Sequence, residues 1–179
     1  GAVALWQAQA ASRHCDFAAL WLQKEGRSFY TIGSAGHESN AVVALALRPT
    51  DPALLHYRSG AFYLARAGQV GRDGVPDVML GVTAAADEPI AGGRHKVLGH
   101  HELAVIPQTS TIASHLPRAV GVAISIDRAL KLGVDCAWPG DAVVVCSFGD
   151  ASLNHATAQA ALNTTAHAAH QHLPVPLLL

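Results

Sequence analysis

The fold is decided by the last thirty-nine residues, "DAVVVCSFGDASLNHATAQAALNTTAHAAHQHLPVPLLL" (141–179). The segment 141–148, which is apolar without interruption over 142–146, predicts a strand of the kind that is covered on both faces of a parallel sheet. An alanine-rich helix is predicted from about Leu153 to His172, and "PVPLLL" (174–179) predicts the next strand. Strand, helix and strand form a βαβ unit, so we expect an α/β fold with a largely parallel sheet flanked by helices.

The preceding residues predict further elements of both kinds. A first helix is expected over Val3–Glu25, ending before Gly26, and residues 69–101 are the least regular part of the chain. The other expected elements are a helix at 38–47, a strand at 53–57, a turn and helix at 58–68, a strand at 102–107 and a buried helix at 117–133. The core residues expected in the first helix are Leu5, Trp6, Phe17, Leu20, Trp21 and Leu22.

Composition sets the broad class of the protein. With 179 residues of which 50% are hydrophobic, we expect one domain, residues 1–179, with a real core. A net charge of −1 without a Lys/Arg run argues against nucleic-acid binding, and no apolar run approaches the ~18 residues of a membrane span. Three cysteines without a disulfide spacing favour reduced thiols and a cytoplasmic location. Because the sequence ends on an apolar run, we expect it to stop within a domain of a longer polypeptide.

Asp150 follows the predicted strand at its carboxyl end, where ligands bind in parallel sheets. One interpretation is a helix cap, in which the carboxylate accepts from backbone N–H groups. The other is a Mg²⁺ ligand, with the N–H groups of Ala151 and Ser152 holding phosphate oxygens. The Gly149-Asp150 dipeptide alone favours the cap.

Two other segments carry groups suited to a phosphate or a polar pocket. Arg58, beside Tyr57, follows a predicted strand and can clamp a phosphate through its planar guanidinium, or it can be a surface arginine in a turn. Hydroxyls precede the helix at 117–133 and can line a pocket or serve as caps and turns. They belong to Thr109, Ser110, Thr111 and Ser114.

The histidines and cysteines give weaker signals. His167 and His170 share a helix face and can bind a metal, but solvation near a helix end is the more common role. Cys146 is expected to fill the core. The nucleophile elbow, the P-loop and the dinucleotide fingerprint are all absent from the sequence.

Four segments, in this order, resemble the alpha subunit of the thiamine-diphosphate-dependent decarboxylating component of 2-oxo acid dehydrogenase complexes, of the pyruvate and branched-chain types. The likeness covers about residues 17–174. The segments are "GSAGHESNAVVALALRPTD", "HYRSGAFYLARAG", "TSTIASHLPRAVGVA" and "GDASLNHATAQAALNTTAHAAHQHLPV". The last of these looks like the family's thiamine-diphosphate motif, so the resemblance implies a thiamine-diphosphate-binding fold.

The resemblance also implies roles for residues at matching positions. Tyr57 and Arg58 would contact the diphosphate, and Asp150 would ligate Mg²⁺. Ala151, which stands at the motif's second glycine, and Ser152 would contact the diphosphate through their backbone. The pocket residues Ser110 and Ile112 would lie against the two rings of the cofactor, and His95 would match a catalytic histidine in the glycine-rich loop. Asn154 and Asn163 match polar positions of the motif helix.

The implied activity is oxidative decarboxylation of a 2-oxo acid with acyl transfer to a lipoyl-bearing acyltransferase. This chain would supply the diphosphate and metal half of the site, and a beta subunit or fused beta module would supply the rest. We therefore expect an oxidoreductase that works as a dimer or heterotetramer and is inactive without the beta module. The alternatives are a transketolase-like thiamine enzyme and a non-catalytic, degenerate α/β subunit.

Overall fold

A computed structural model describes residues 1–179, which form two compact units. Unit 1 comprises residues 1–49 and 57–109, and unit 2 comprises residues 50–56 and 110–179. The elements in chain order are α1 (Ala2–Lys24), α2 (Asn40–Ala46), β1 (Ala53–Leu54), α3 (Gly60–Gln69), α4 (Val75–Val82), α5 (His115–Leu132), β2 (Val144–Cys146), a 3₁₀ helix (Asp150–Asn154), α6 (Ala156–His170) and β3 (Leu177–Leu178).

The sheet of unit 2 is parallel throughout, as the sequence predicts. Its strand order is β1-β2-β3, with Ala53 opposite Val145 and Val144 opposite Leu177. The central strand β2 is fully buried, because α5 packs on it and strands flank both its edges. The βαβ unit formed by β2, α6 and β3 confirms the α/β fold class.

Two predicted helices of unit 2 differ in detail from those observed. The helix expected at 153–172 is divided, because a 3₁₀ turn precedes α6 and His155 separates the two. Helix α5 ends at Leu132 and is capped by Gly133, whose φ of +64° suits glycine. However, α5 is not buried all round, since Arg118, Leu130 and Leu132 are exposed and only one face packs inward.

Helix α1 of unit 1 was predicted in the right place but with the wrong core. Trp6 is 67% exposed and Phe17 and Trp21 are each 56% exposed, and Leu20 is also exposed. Of the six expected core residues, only Leu22 is buried, and Leu5 is partly buried. The buried face carries mostly small side chains, which allow α3 to approach closely. It comprises Ala8, Ser12, Cys15, Ala19 and Leu22.

The irregular stretch of unit 1 contains an element that the sequence did not reveal. Helix α4 lies inside residues 69–101 and begins with a proline in its first turn. The strand expected at 102–107 is wrong, since only an isolated antiparallel bridge joins His100 to Val105 around a tight turn. Short apolar runs of this kind do not distinguish a strand from a buried turn.

The three cysteines form no disulfide, as expected. Cys146 lies in β2 and fills the core, and burial raises the pKa of its thiol to about 12. None of the helices has the length and apolar character that crossing a membrane requires.

Candidate functional site

The carboxyl end of β2 carries Asp150 in an exposed position. No hydrogen bond or ion pair engages its carboxylate. The helix-cap interpretation is therefore wrong: the 3₁₀ helix has no side-chain cap, and the cap of α6 is His155, whose Nδ1 accepts from the Thr157 N–H at 3.2 Å. Asp150 is left as an exposed anionic group beside the end of a buried strand.

The backbone conformation at residues 150–152 determines which side chains are tolerated and which N–H groups are free to bind a ligand. Ala151 has a negative φ, so a side chain is tolerated at the position where the resembling family has glycine. The Ser152 N–H donates to the Gly149 carbonyl at 2.9 Å, so it is engaged within the turn. The N–H groups of Asp150 and Ala151 have no acceptor. The free donors are thus one residue earlier than the sequence suggested.

Ser147, the residue that follows β2, is held by at least three hydrogen bonds. Its N–H donates to the Leu54 carbonyl at 3.0 Å, and its Oγ accepts from the His56 N–H at 2.9 Å. Its carbonyl oxygen lies 2.8 Å from His115 Nε2. These contacts fix the strand end that leads to Asp150.

His115 is buried at the start of α5, with 4% of its surface exposed. Since a carbonyl oxygen only accepts, Nε2 must carry the hydrogen of the bond to Ser147. Nδ1 is buried and has no partner. Burial lowers the pKa of His115, and Arg118 lowers it further, whereas the bond to Ser147 raises it. The ring is therefore kept neutral.

The segment before α5 contains the two predicted ring contacts. Ser110 is half-buried and Ile112 is 47% exposed. Ala113 has a φ of +61°, and the Ser114 hydroxyl donates to the Thr111 carbonyl at 2.9 Å. Ser114 thus closes a turn, as one interpretation of the hydroxyl cluster proposed.

In unit 1, Arg58 is half-buried and is not a free surface side chain. Its Nη1 donates to the Gly33 carbonyl at 2.9 Å, and its guanidinium lies 5.3 Å from the centre of the Tyr57 ring. Asp16 holds the neighbouring loop by accepting from the Ser34 N–H at 2.9 Å and the Ser34 hydroxyl at 2.8 Å. The loop at 31–36 is therefore fixed on the side that faces Arg58.

A cavity of about 20 Å³ lies among these groups of unit 1, and Asp16, Tyr57, Arg58 and Lys96 contribute to its lining. Burial lowers the pKa of Lys96 to about 8, against the opposing effects of Asp16 and Cys15. The volume suits a single water molecule. His95, next in the chain, is exposed.

The metal-binding alternative for the histidines gains no support. No group of three His, Cys, Asp or Glu side chains is placed to hold a metal ion. His167 and His170 are exposed in the last turn of α6, where the helix dipole favours them. Asp150 is the one carboxylate that the sequence predicts as a metal ligand, and the structure places it beside the carboxyl end of β2. Mg²⁺ commonly takes one or two carboxylates together with water and phosphate oxygens, so this donor set fits a Mg²⁺–phosphate group.

The predicted site residues fall into three local groups. Asp150, Ala151 and Ser152 share the 3₁₀ turn, Ser110 and Ile112 share the approach to α5, and Tyr57, Arg58 and His95 belong to unit 1. Sequence reasoning missed Ser147, His115 and His56, whose contacts lie between residues distant in the chain. The only signal available was their position at the ends of predicted elements.

The family model described as Dehydrogenase E1 component matches residues 7–175. The chain belongs to the dehydrogenase E1 component family. The family consists of thiamine-diphosphate-dependent 2-oxo acid dehydrogenase E1 components, and this E1 component is of the alpha type that the four segments predicted. E1 components of this family typically belong to multienzyme complexes. The match confirms the thiamine-diphosphate-binding α/β fold.

Proposed function

We propose that this E1 component takes part in Mg²⁺-dependent oxidative decarboxylation of a 2-oxo acid, followed by acyl transfer to a lipoyl-bearing acyltransferase. The observation that carries the proposal is the exposed, unpartnered carboxylate of Asp150 at the carboxyl end of β2. In a chain of this family such a carboxylate suits a metal that neutralises a diphosphate. When bound, thiamine diphosphate would supply the carbanion-stabilising chemistry that decarboxylation needs.

Each residue of the site has a proposed role. Asp150 ligates Mg²⁺, and the free N–H of Ala151 contributes a backbone contact to the diphosphate. The backbone contact expected of Ser152 requires its N–H to leave the Gly149 carbonyl. Tyr57 and Arg58 contact the diphosphate, which suits a guanidinium already oriented by the Gly33 carbonyl. Ser110 and Ile112 contact the rings of the cofactor.

His95 is the catalytic candidate on this chain, and its exposure leaves it accessible to a substrate. The two units are proposed to belong to one cofactor-binding domain. A beta subunit or fused beta module completes the site in a dimer or heterotetramer. Free cysteines agree with a cytoplasmic location.

The role of Asp150 is tested by calorimetry with thiamine diphosphate and Mg²⁺. We expect Asp150→Asn to weaken the Mg²⁺-dependent affinity by about 10- to 100-fold, because the amide replaces an anionic ligand. Asp135→Asn is the matched control: Asp135 is also exposed, lies in unit 2, and its carboxylate makes no hydrogen bond or ion pair. Equal affinities of the Asp150 variant and the wild type would remove the proposed metal site. If the wild type does not bind at all, the non-catalytic interpretation is favoured.

The need for a beta module is tested by a turnover assay. We expect the isolated 179-residue chain to show no decarboxylation of pyruvate or of branched-chain 2-oxo acids. The reason is that this chain is proposed to hold only the diphosphate and metal half of the site. Decarboxylation of either substrate by the isolated chain would contradict the division of the site.

A further inference from the structure

Asp150 has no protein partner of its own, so only the backbone behind it orients its carboxylate. Three residues earlier, the end of β2 is fixed at Ser147 by bonds to Leu54, His56 and His115. The first two bonds join neighbouring parts of the strand layer. The third comes from the side chain of His115 in α5.

The bond from His115 links two segments of the candidate site within unit 2. Ser147 lies three residues before Asp150, and His115 lies three residues after Ile112. The distance from Nε2 to the Ser147 oxygen is 2.8 Å, which is short for an N–H···O bond. The strand end that carries Asp150 is therefore held directly to the start of α5, where the segment with Ser110 and Ile112 ends.

Only one form of the His115 ring is compatible with these surroundings. Nε2 must carry hydrogen, and a hydrogen on the buried Nδ1 would have no acceptor. The unpartnered Nδ1 lone pair is the cost of this arrangement, since a buried polar atom without a partner is destabilising. A residue used only for packing would not need to bury an unpartnered nitrogen, because a leucine would fill a similar space without a polar atom.

We propose that His115 is a positioning residue that, through the Ser147 carbonyl, sets the placement of Asp150 relative to the Ser110–Ile112 segment. The inference rests on the proposed function of Asp150, Ser110 and Ile112. This role explains why a histidine occupies position 115, because a site that holds a metal needs accurately placed ligands. Displacement of a ligand by about 1 Å can strongly reduce the function of such a site. His115 itself touches no cofactor in this scheme.

The test compares two amides at position 115. His115→Gln can place an amide nitrogen where Nε2 lies and so keep the bond to Ser147, whereas the shorter His115→Asn cannot reach it. We expect the apparent Mg²⁺ affinity at saturating thiamine diphosphate to stay within about threefold for Gln and to fall at least tenfold for Asn. His115→Leu should resemble Asn, and if it does not fold, the Gln and Asn pair still decides.

A double-mutant cycle separates positioning from general support of the fold. If His115 acts through Asp150, His115→Asn should cause little further loss in a background that already carries Asp150→Asn. Full additivity of the two losses would overturn the proposal, as would equal Mg²⁺ affinities for Gln and Asn. Failure of the wild type to bind thiamine diphosphate and Mg²⁺ would overturn the proposed function and the positioning role together.

The ring itself is observed by long-range ¹H–¹⁵N NMR of the wild-type protein without cofactor. We expect a neutral His115 with hydrogen on Nε2 at pH 7. A hydrogen on Nδ1 alone would show that the bond to Ser147 does not form, and would overturn the proposal whatever the cofactor does.

Discussion

His115 is the residue whose ionisation the fold constrains most clearly. It is buried, its Nε2 hydrogen is used by Ser147, and burial lowers its pKa from the ordinary 6.5. The unfolded chain therefore takes up the proton at a higher pH than the folded chain does. Stability from the neutral ring is fully present above pH 6.5 and is lost as the pH falls through the lower folded pKa.

We expect His115→Gln to remove this contribution to acid sensitivity. Between pH 6.5 and the lower folded pKa, the free energy of unfolding of the wild type should fall by at most about 1.4 kcal/mol per pH unit more than that of the variant. Urea denaturation at a series of pH values measures the difference, and the variant also serves to subtract the other ten histidines of the eleven. Parallel pH profiles would show that His115 titrates normally.

At the scale of elements, α1 shows that the contribution of a leucine to the stability of the protein depends on which face of the helix it occupies. Its buried face is made of small residues and Leu22, whereas its large apolar residues lie outward. Leu20 and Leu22 form a matched pair: they have the same side chain in the same helix, with 43% and 7% exposed.

We expect Leu22→Ala to lower the free energy of unfolding by about 2–3 kcal/mol, because it opens a cavity beside Ala19 and Val82. Leu20→Ala should cost less than about 1 kcal/mol, since little buried surface is lost. Chemical denaturation of the two variants gives both values. A larger loss for Leu20→Ala would mean that the outer face of α1 is covered in solution.

The comparison of α1 with β2 explains what could be predicted from sequence. Every residue of β2 is buried, so its apolar run alone identifies it as a strand of a parallel sheet. In α1, apolar residues occur on both faces of the helix. The prediction that the large side chains of Trp6 and Trp21 belong to the core was therefore wrong. The other face of α1, with its small residues, is buried because α3 packs against it. This tertiary contact cannot be read from the sequence of α1 alone.

The same limit applies to the candidate site. Asp150 and Arg58 could be selected because each lies within two residues of the end of a predicted strand, and the local motifs around them are continuous in sequence. The bonds of Ser147 to His56 and His115 span 91 and 32 residues, so no local pattern announces them. The 3₁₀ turn at Asp150–Asn154 was also missed, because the alanine-rich helix begins almost at once.

At the scale of the whole molecule, the proposed cofactor should stabilise the folded chain by mass action. At about 100 times the dissociation constant, a ligand that binds only the folded state adds about 2.7 kcal/mol. We expect thiamine diphosphate with Mg²⁺ to raise the melting temperature, and an excess of chelator to abolish most of the increase. Thiamine without the diphosphate is the control. A shift that survives the chelator would indicate that Mg²⁺ is not needed for binding.

Strand β1 lies in the segment 50–56 of unit 2, and the residues that precede and follow this segment belong to unit 1. The hydrogen bonds from the His56 N–H to Ser147 Oγ and from the Val143 N–H to Asp51 Oδ1 span 91 and 92 residues. During synthesis at about 5–20 residues per second, β1 therefore leaves the ribosome about 5–18 seconds before its partner strand exists. For that interval the apolar residues of β1 have no partner strand. Pairing β1 with β2 is also slow, because the long loop between them must close at an entropic cost. We therefore expect residues 53–56 to be open to aggregation until β2 is made.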